Sequence, residues 1–304
     1  MASKVWLITG ANSGLGLALA HHVLSRGDKV IAAARDISKL PASLSAAQPL
    51  ALNPSAPEAE VYAAAREALK IHGRIDVLAN NAGYCLSGPV EELDSADIHA
   101  QFQTNVFGPI ALIQALLPSF RGQKSGHILN FSSIAAMAGG PSFGAYNASK
   151  AALEAFSEAL NPELAPYNVR VHIVVPGFFP TNFLATAAAT LPKEGRTTGA
   201  YADPAQGAGA QARYYPRMLE AGIVGDPDRL AERVWEVVWG AGPAGAAAGK
   251  REFVRVPLGR DCGNRLRAKL ALVSENVEAF EPAWSATDVS PERLQELRDQ
   301  AAKQ

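Results

Sequence analysis

Short apolar runs alternate with stretches of helical period along most of this chain. Val5-Trp6-Leu7-Ile8 is the first run, and Leu17, Leu19, Ala20, Val23 and Leu24 follow at the spacing of a helix face. Val30-Ile31-Ala32-Ala33-Ala34 and Leu50-Ala51-Leu52 read as the second and third strands, and residues 59–72 as a helix. Ile75-Asp76-Val77-Leu78-Ala79 is a fourth strand. A long helix is predicted over residues 95–120, kinked where Asn105 is followed by Gly108 and Pro109, which suit a helix interior poorly. His127-Ile128-Leu129-Asn130-Phe131 and residues 169–175 supply the fifth and sixth strands, with a helix running through Ala151 and Phe156 between them. Beyond a break over residues 182–225, residues 227–239 read as a helix, 240–249 as a Gly/Ala-rich linker and 252–256 as a seventh strand. Leu266, Leu270, Val273 and Val277 mark another helix, and Ser290-Pro291-Glu292 starts a short terminal one.

This alternation predicts an α/β fold: a doubly wound, parallel, seven-stranded sheet with helices on both faces, in a single domain over residues 1–304. Such sheets bind ligands beyond the carboxyl ends of their strands. Four loops leave strands at that edge, residues 10–16, 80–83, 132–140 and 176–181. In the first, Gly10 permits a tight turn, and Gly14 and Gly16 let the backbone approach a pyrophosphate at the positive end of the next helix. At the tip of the second strand Ala34 stands where an acid would accept the ribose hydroxyls of NAD. Arg35 follows it, a guanidinium placed for a 2′-phosphate, which favours NADP. The alternative is that Arg35 is solvated surface and Asp36 begins a helix. Asn80, Asn81 and Gly83 suit a turn close to an adenosine, and Cys85 beyond them either lines the site or is a small buried hydrophobe.

Bulk composition narrows the picture by exclusion. A chain that is 48% hydrophobic and 19% charged, with net charge −1 and no Lys/Arg run, lacks the basic face of a nucleic-acid binder. No stretch approaches the roughly 18 apolar residues of a membrane span. Met1-Ala2-Ser3-Lys4 enters a strand almost at once, so no signal peptide is expected. Two cysteines, Cys85 and Cys262, suit a reducing compartment, and a cytoplasmic location is expected. The histidines, His21, His22, His72, His99, His127 and His172, show no ligand-like pairing, and no metal site is expected.

The chemistry concentrates between Ser132 and Lys150. Tyr146 and Lys150 are four apart and share one helix face. An ammonium so close favours the phenolate and lowers its pKa, which lets a phenol pass a proton near neutral pH. Ser133, at a strand's end, is placed to hold the oxygen that receives that proton. Taken alone, a Tyr and a Lys at this spacing are usually just a solvated helix face.

In order and spacing, Thr9-Gly10-Ala11-Asn12-Ser13-Gly14-Leu15-Gly16, Asn80-Asn81-Ala82-Gly83, Asn105, Ser133, Tyr146-x-x-x-Lys150 and Pro176-Gly177…Thr181 resemble the short-chain dehydrogenase/reductases. The resemblance spans roughly residues 4–182 by motif and reaches about residue 288 by element order. Residues 104–109 and 284–288 look like the branch that includes 17-beta-hydroxysteroid dehydrogenase-like reductases. The resemblance implies a Rossmann-type fold and an Asn-Ser-Tyr-Lys set. Tyr146 would be the general acid toward a carbonyl oxygen, and the base in the reverse direction. Lys150 would lower its pKa and bond the nicotinamide ribose. Ser133 would polarise the carbonyl, with Ser132 as the fallback, and Asn105 would hold the kink and a proton-relaying water. Gly10, Asn12, Ser13, Gly14, Leu15, Gly16, Arg35, Asn53, Asn81, Ala82 and Gly83 would line the adenosine and pyrophosphate half. Pro176 and Gly177 would also bind the cofactor, and Thr181 and the Phe179 backbone would fix its carboxamide. Asn53 stands where the family usually has an Asp.

The resulting expectation is an NADP-dependent carbonyl reductase or alcohol dehydrogenase, active as a homodimer or homotetramer. Leu86, Phe143, Phe178, Phe179, Phe183, Tyr214, Tyr215 and Met218 near the mouth suggest a lipophilic substrate. Residues 182–225 form a lid or, alternatively, plain packing helices, and about 260–304 a C-terminal helical extension. The competing readings are a cofactor-binding sensor without turnover, or an enzyme of imine reduction, epimerisation or dehydration.

Overall fold

The apolar runs form the strands of one parallel sheet in the computed structural model, which describes residues 2–188, 190, 197–201, 203, 220, 222 and 224–302. In chain order the first half comprises β1 (Val5–Thr9), α1 (Gly14–Ser25), β2 (Lys29–Ala34), β3 (Gln48–Ala51), α2 (Glu58–His72) and β4 (Val77–Asn80). Next come α3 (Ser95–Phe102), α4 (Gly108–Gln123), β5 (Gly126–Phe131), α5 (Gly144–Glu163) and β6 (Val169–Pro176). Then follow α6 (Phe183–Ala188), α7 (Pro227–Trp239), α8 (Gly242–Ala248) and β7 (Arg255–Leu258). The chain closes with α9 (Arg260–Ala279), α10 (Glu281–Trp284) and α11 (Pro291–Ala301). Sheet order is β3-β2-β1-β4-β5-β6-β7, and every pairing is parallel.

Both faces of the sheet are covered, so all five residues of β1 are buried although their side chains alternate. Val5 and Leu7 join the core beneath α2, α4 and α5, while Trp6 and Ile8 join the core beneath α1 and α7. Asp28 ties the second layer together: its carboxylate accepts from the Trp6, Trp235 and Trp239 indoles at 3.1, 3.2 and 2.8 Å. The expected kink in the long helix is a π turn, Gln103–Phe107, between α3 and α4.

Two expectations need correction. Residues 240–249 are not an open linker, because they contain α8. Its three consecutive alanines favour helix, and Gly245 lets it seat on the end of α7, where a methyl group would lie 2.6 Å from the Glu236 carbonyl. The seventh strand begins three residues late, at Arg255, which is the residue that pairs with Ile173 of β6; its edge position tolerates Pro257. Adjacent strands stack the His127 and His172 rings, with centroids 5.6 Å apart and Nδ1 to Nε2 at 3.3 Å. Burial holds both imidazoles well below their ordinary range. No helix among the described residues is long and apolar enough to cross a membrane.

Candidate active site

Strand order reverses between β1 and β4, the position at whose carboxyl edge open α/β sheets bind ligands. Thr9 fastens the loops after these two strands. Its hydroxyl accepts from the Asn81 and Ala82 amides, each at 3.0 Å, and the Asn81 side-chain amide donates to the Thr9 carbonyl at 2.9 Å. Asn81 thereby holds the glycine loop against the loop after β4. Gly10 and Gly14 have φ of +67° and +56°, conformations that other residues rarely adopt. Gly16 departs from its expected reason: a methyl group there would overlap the Gly10 carbonyl and the Asn81 amide, so it serves close packing inside the loop.

The loop delivers an open helix end. Ser13 is the N-cap of α1 but makes no side-chain cap bond, and the first turn holds no acid. Leu15 packs toward the core, while Asn12 stays half-buried on the loop. At the tip of β2, Arg35 is exposed and engages no ion pair among the described residues. Asp36 does begin a helical turn, accepting from the Ser38 amide at 3.0 Å and the Ser38 hydroxyl at 2.6 Å. The Asn53 side chain turns back to accept from the Ser55 amide at 3.1 Å.

Tyr146 and Lys150 both lie on the buried face of α5, 7% and 5% exposed. The Lys150 ammonium donates to the Phe131 carbonyl at 2.6 Å, at the end of β5, and sits 5.9 Å from the centre of the Tyr146 ring. Ser133 accepts from the Ala135 amide at 3.2 Å, and its hydroxyl lies close enough to the Tyr146 phenol to pull its pKa down. Ser132 does not compete, because its hydroxyl donates to Glu154 at 2.6 Å. From the π turn, buried Asn105 donates to the Tyr84 carbonyl at 3.0 Å and to the Ser149 hydroxyl at 3.1 Å. Gly83 lies between the groups: a methyl group added there would stand 3.0 Å from Asn105 Oδ1 and 3.5 Å from Lys150 Nζ. Tyr146, Lys150 and Asn105 thus gather around Gly83, with Ser133 beside the phenol.

The electrostatics reverse one expectation. Burial raises the Tyr146 phenol above its ordinary pKa, and the pull downward comes from the Ser133 hydrogen bond. Burial also pushes Lys150 down to about 8, opposed by the charges of Cys85 and Glu154. Cys85 is a buried thiol pushed up to about 12 by the same cause.

Cys85 and Ala187 pack against Tyr146, with Ala135, Phe143 and Phe183 around them, and the Phe183 ring lies 5.6 Å from the phenol ring. Leu86 is buried nearby. Phe179 is not part of this wall; it belongs to the core beneath α1 and α7 and packs over Gly225. Tyr214, Tyr215 and Met218 lie outside the described residues. Thr190 bridges to the loop after β4, donating to the Cys85 carbonyl at 2.9 Å and accepting from the Ser87 amide at 3.0 Å.

The fourth loop has an anchor that sequence reasoning missed. Asp261, buried in the first turn of α9, accepts from the Phe178 amide at 2.8 Å, and its carboxylate fills the space above Gly177. In the sequence Asp261 is indistinguishable from any acid at a helix start. Beyond Pro176 and Gly177, Thr181 closes the ring of loops by lying 3.4 Å from the position of a methyl group on Gly14. A phenol, an ammonium and a hydroxyl against an apolar wall are equipped to move one proton to or from a carbonyl-type oxygen.

The family profile described as short chain dehydrogenase matches residues 4–192. Oxidoreductase claN of Passalora fulva is 42% identical over 224 residues, 69% of this chain and 100% of that protein. Oxidoreductase calM of Penicillium decumbens is 33% identical over 301 residues, 95% of this chain and 94% of that one. A solved short-chain dehydrogenase from Streptomyces avermitilis superposes with a TM-score of 0.80 at 34% identity, over 95% of this chain and 100% of that one. A short-chain dehydrogenase/reductase from Burkholderia phymatum in complex with NAD gives 0.71 at 27% identity, over 91% and 95% of the two chains. A metagenomic short-chain oxidoreductase in complex with NADP gives 0.61 at 28% identity, over 84% and 96%.

Proposed function

Because the chain belongs to the short-chain dehydrogenase family, we propose that it is an NADP-dependent oxidoreductase interconverting a ketone and an alcohol on a lipophilic small molecule. The observation that carries this reading is the convergence of Ser133, Tyr146 and Lys150 against an apolar wall beside Gly83. The residues fit a dinucleotide: the uncapped, acid-free start of α1 suits a pyrophosphate, and the left-handed glycines let it approach. NADP is preferred to NAD because Arg35 is exposed at the tip of β2, while the nearest acid, Asp36, is committed to Ser38. When bound, the cofactor supplies the hydride in reduction and accepts it in oxidation.

The protein's own groups handle the proton. Tyr146, kept neutral by burial, holds a proton ready for a carbonyl oxygen, which suits the reducing direction. Ser133 orients that oxygen and the phenol together. Lys150, held by the Phe131 carbonyl, brings positive charge that stabilises the phenolate left after transfer. Asn105 keeps the π turn and the Gly83 loop in register with Lys150. Asn53 and Ala82 border the adenosine side, and Phe143 and Phe183 favour an apolar substrate. Residues 104–109 and 284–288 support the branch that includes 17-beta-hydroxysteroid dehydrogenase-like reductases. Both cysteines are free thiols, in keeping with a cytoplasmic location.

Stereospecifically deuterated NADPH and a panel of lipophilic ketones test the proposal. The expected result is one deuterium on the carbinol carbon for each NADPH consumed. Binding of NADPH with no turnover across the panel, or product formation that leaves NADPH unconsumed, overturns it.

A further inference from the structure

We infer that the C-terminal arm is a self-pairing device, in which α9 of one copy of this chain lies antiparallel along α9 of a second copy. Apolar side chains recur at Leu266, Leu270, Val273, Val277, Phe280 and Trp284, in steps of four, three, four, three and four. That is the 3.5-residue period of a coiled-coil seam, not the broader stripe of a helix lying on a globular core. Leu266 packs on the body of the protein. The other five are exposed, by 57, 44, 51, 60 and 51% in chain order. Every residue from Leu270 to Ala302 is exposed, so none of the described elements covers the seam. α9 ends at Ala279, and the Trp284 indole, from the separate α10, folds back to donate to the Val277 carbonyl at 2.9 Å, which leaves Trp284 beside Val277 at the end of the seam.

Two features identify the occupant as another copy. The pattern is its own mirror image about residue 275. Reversing one helix sets Leu270 against Phe280 and Val273 against Val277, the layers whose side chains are exposed. Charge runs the same way. Arg267 and Lys269 stand at the N-terminal end of the seam, Glu278 and Glu281 at the other. An antiparallel pair brings opposite charges together twice, whereas a parallel pair stacks like on like. The two-fold arrangement closes on itself and joins two catalytic domains. An anionic membrane is a poorer occupant, because residues 267–302 carry four Lys or Arg against seven Asp or Glu.

Sedimentation of the full chain over a range of concentrations tests the inference, with Leu270→Glu/Val277→Glu on the exposed seam as the disrupting variant. Circular dichroism and NADPH binding show whether that variant folds. One association step is expected to weaken by at least ~100-fold. Arg267→Glu/Lys269→Glu and Glu278→Lys/Glu281→Lys are each expected to weaken it by about tenfold, and the combined variant to restore it. Oxidised Val273→Cys/Val277→Cys should form a covalent dimer, since both native thiols are buried. Unchanged sedimentation of Leu270→Glu/Val277→Glu, failure of the combined charge variant to recover, or a monomeric chain that binds phosphatidylserine vesicles would each overturn the pairing.

Discussion

Replacing Lys150 with Met is expected to make the protein more stable near neutral pH while removing turnover. Lys150 is 5% exposed, and burial lowers its ammonium from 10.5 to about 8. At about 1.4 kcal/mol per pKa unit, keeping the charged form inside costs the folded state ~3 kcal/mol. Met removes that cost but strands the Phe131 carbonyl, which now accepts from Lys150 at 2.6 Å. The lost hydrogen bond offsets about 1–2 kcal/mol. The net gain for Lys150→Met is therefore ~1–2 kcal/mol below the folded pKa. The sign then changes with pH. Between about 8 and 10.5 the unfolded chain holds the proton that the folded chain has released, so wild-type stability rises across that window. The variant's advantage shrinks through it and becomes a deficit of ~1–2 kcal/mol near the top. Urea unfolding of both proteins from neutral pH through that window reads the difference directly, provided the m-values agree. A stability difference that stays constant over the whole range refutes the reasoning.

Arg35→Asp is expected to lower the NADPH/NADH preference by at least ~10-fold, seen in the Michaelis constants for the two cofactors, because Asp36 is already committed to Ser38. Gly16→Ala is expected to lose ~2–3 kcal/mol in thermal unfolding, since the methyl group would overlap the Gly10 carbonyl. Asp261→Ala frees the Phe178 amide and is expected to raise the cofactor KM about tenfold with a smaller change in kcat, visible in steady-state kinetics.

The parallel sheet was legible because buried strands must be written as apolar runs, and helices between them as 3.6-residue patterns. The gathering of Ser133, Tyr146 and Lys150 at a strand's carboxyl end was legible too, because a spacing of four fixes a helix face. What a spacing cannot encode is polarity. The Tyr146 phenol rises instead of falling because Cys85, Ala187 and Phe183 exclude water around it. The packing contacts of Gly16 and Asn81, and Asp261 altogether, escaped for another reason. Each acts on a loop distant in sequence, and nothing local separates a glycine that packs from one that admits a ligand. The helix over residues 242–248 was hidden by its glycines, which look like a linker until the neighbouring α7 end supplies the contact that needs them.

The most direct measurement is the single-turnover rate of NADPH oxidation by Tyr146→Phe on a ketone that the wild type reduces, alongside NADPH binding by fluorescence. Loss of the phenolic proton with the ring left in place is expected to slow the rate by at least ~100-fold while NADPH binds nearly as before. A variant that binds NADPH normally and still reduces the ketone near the wild-type rate contradicts the assignment of Tyr146 as the proton donor.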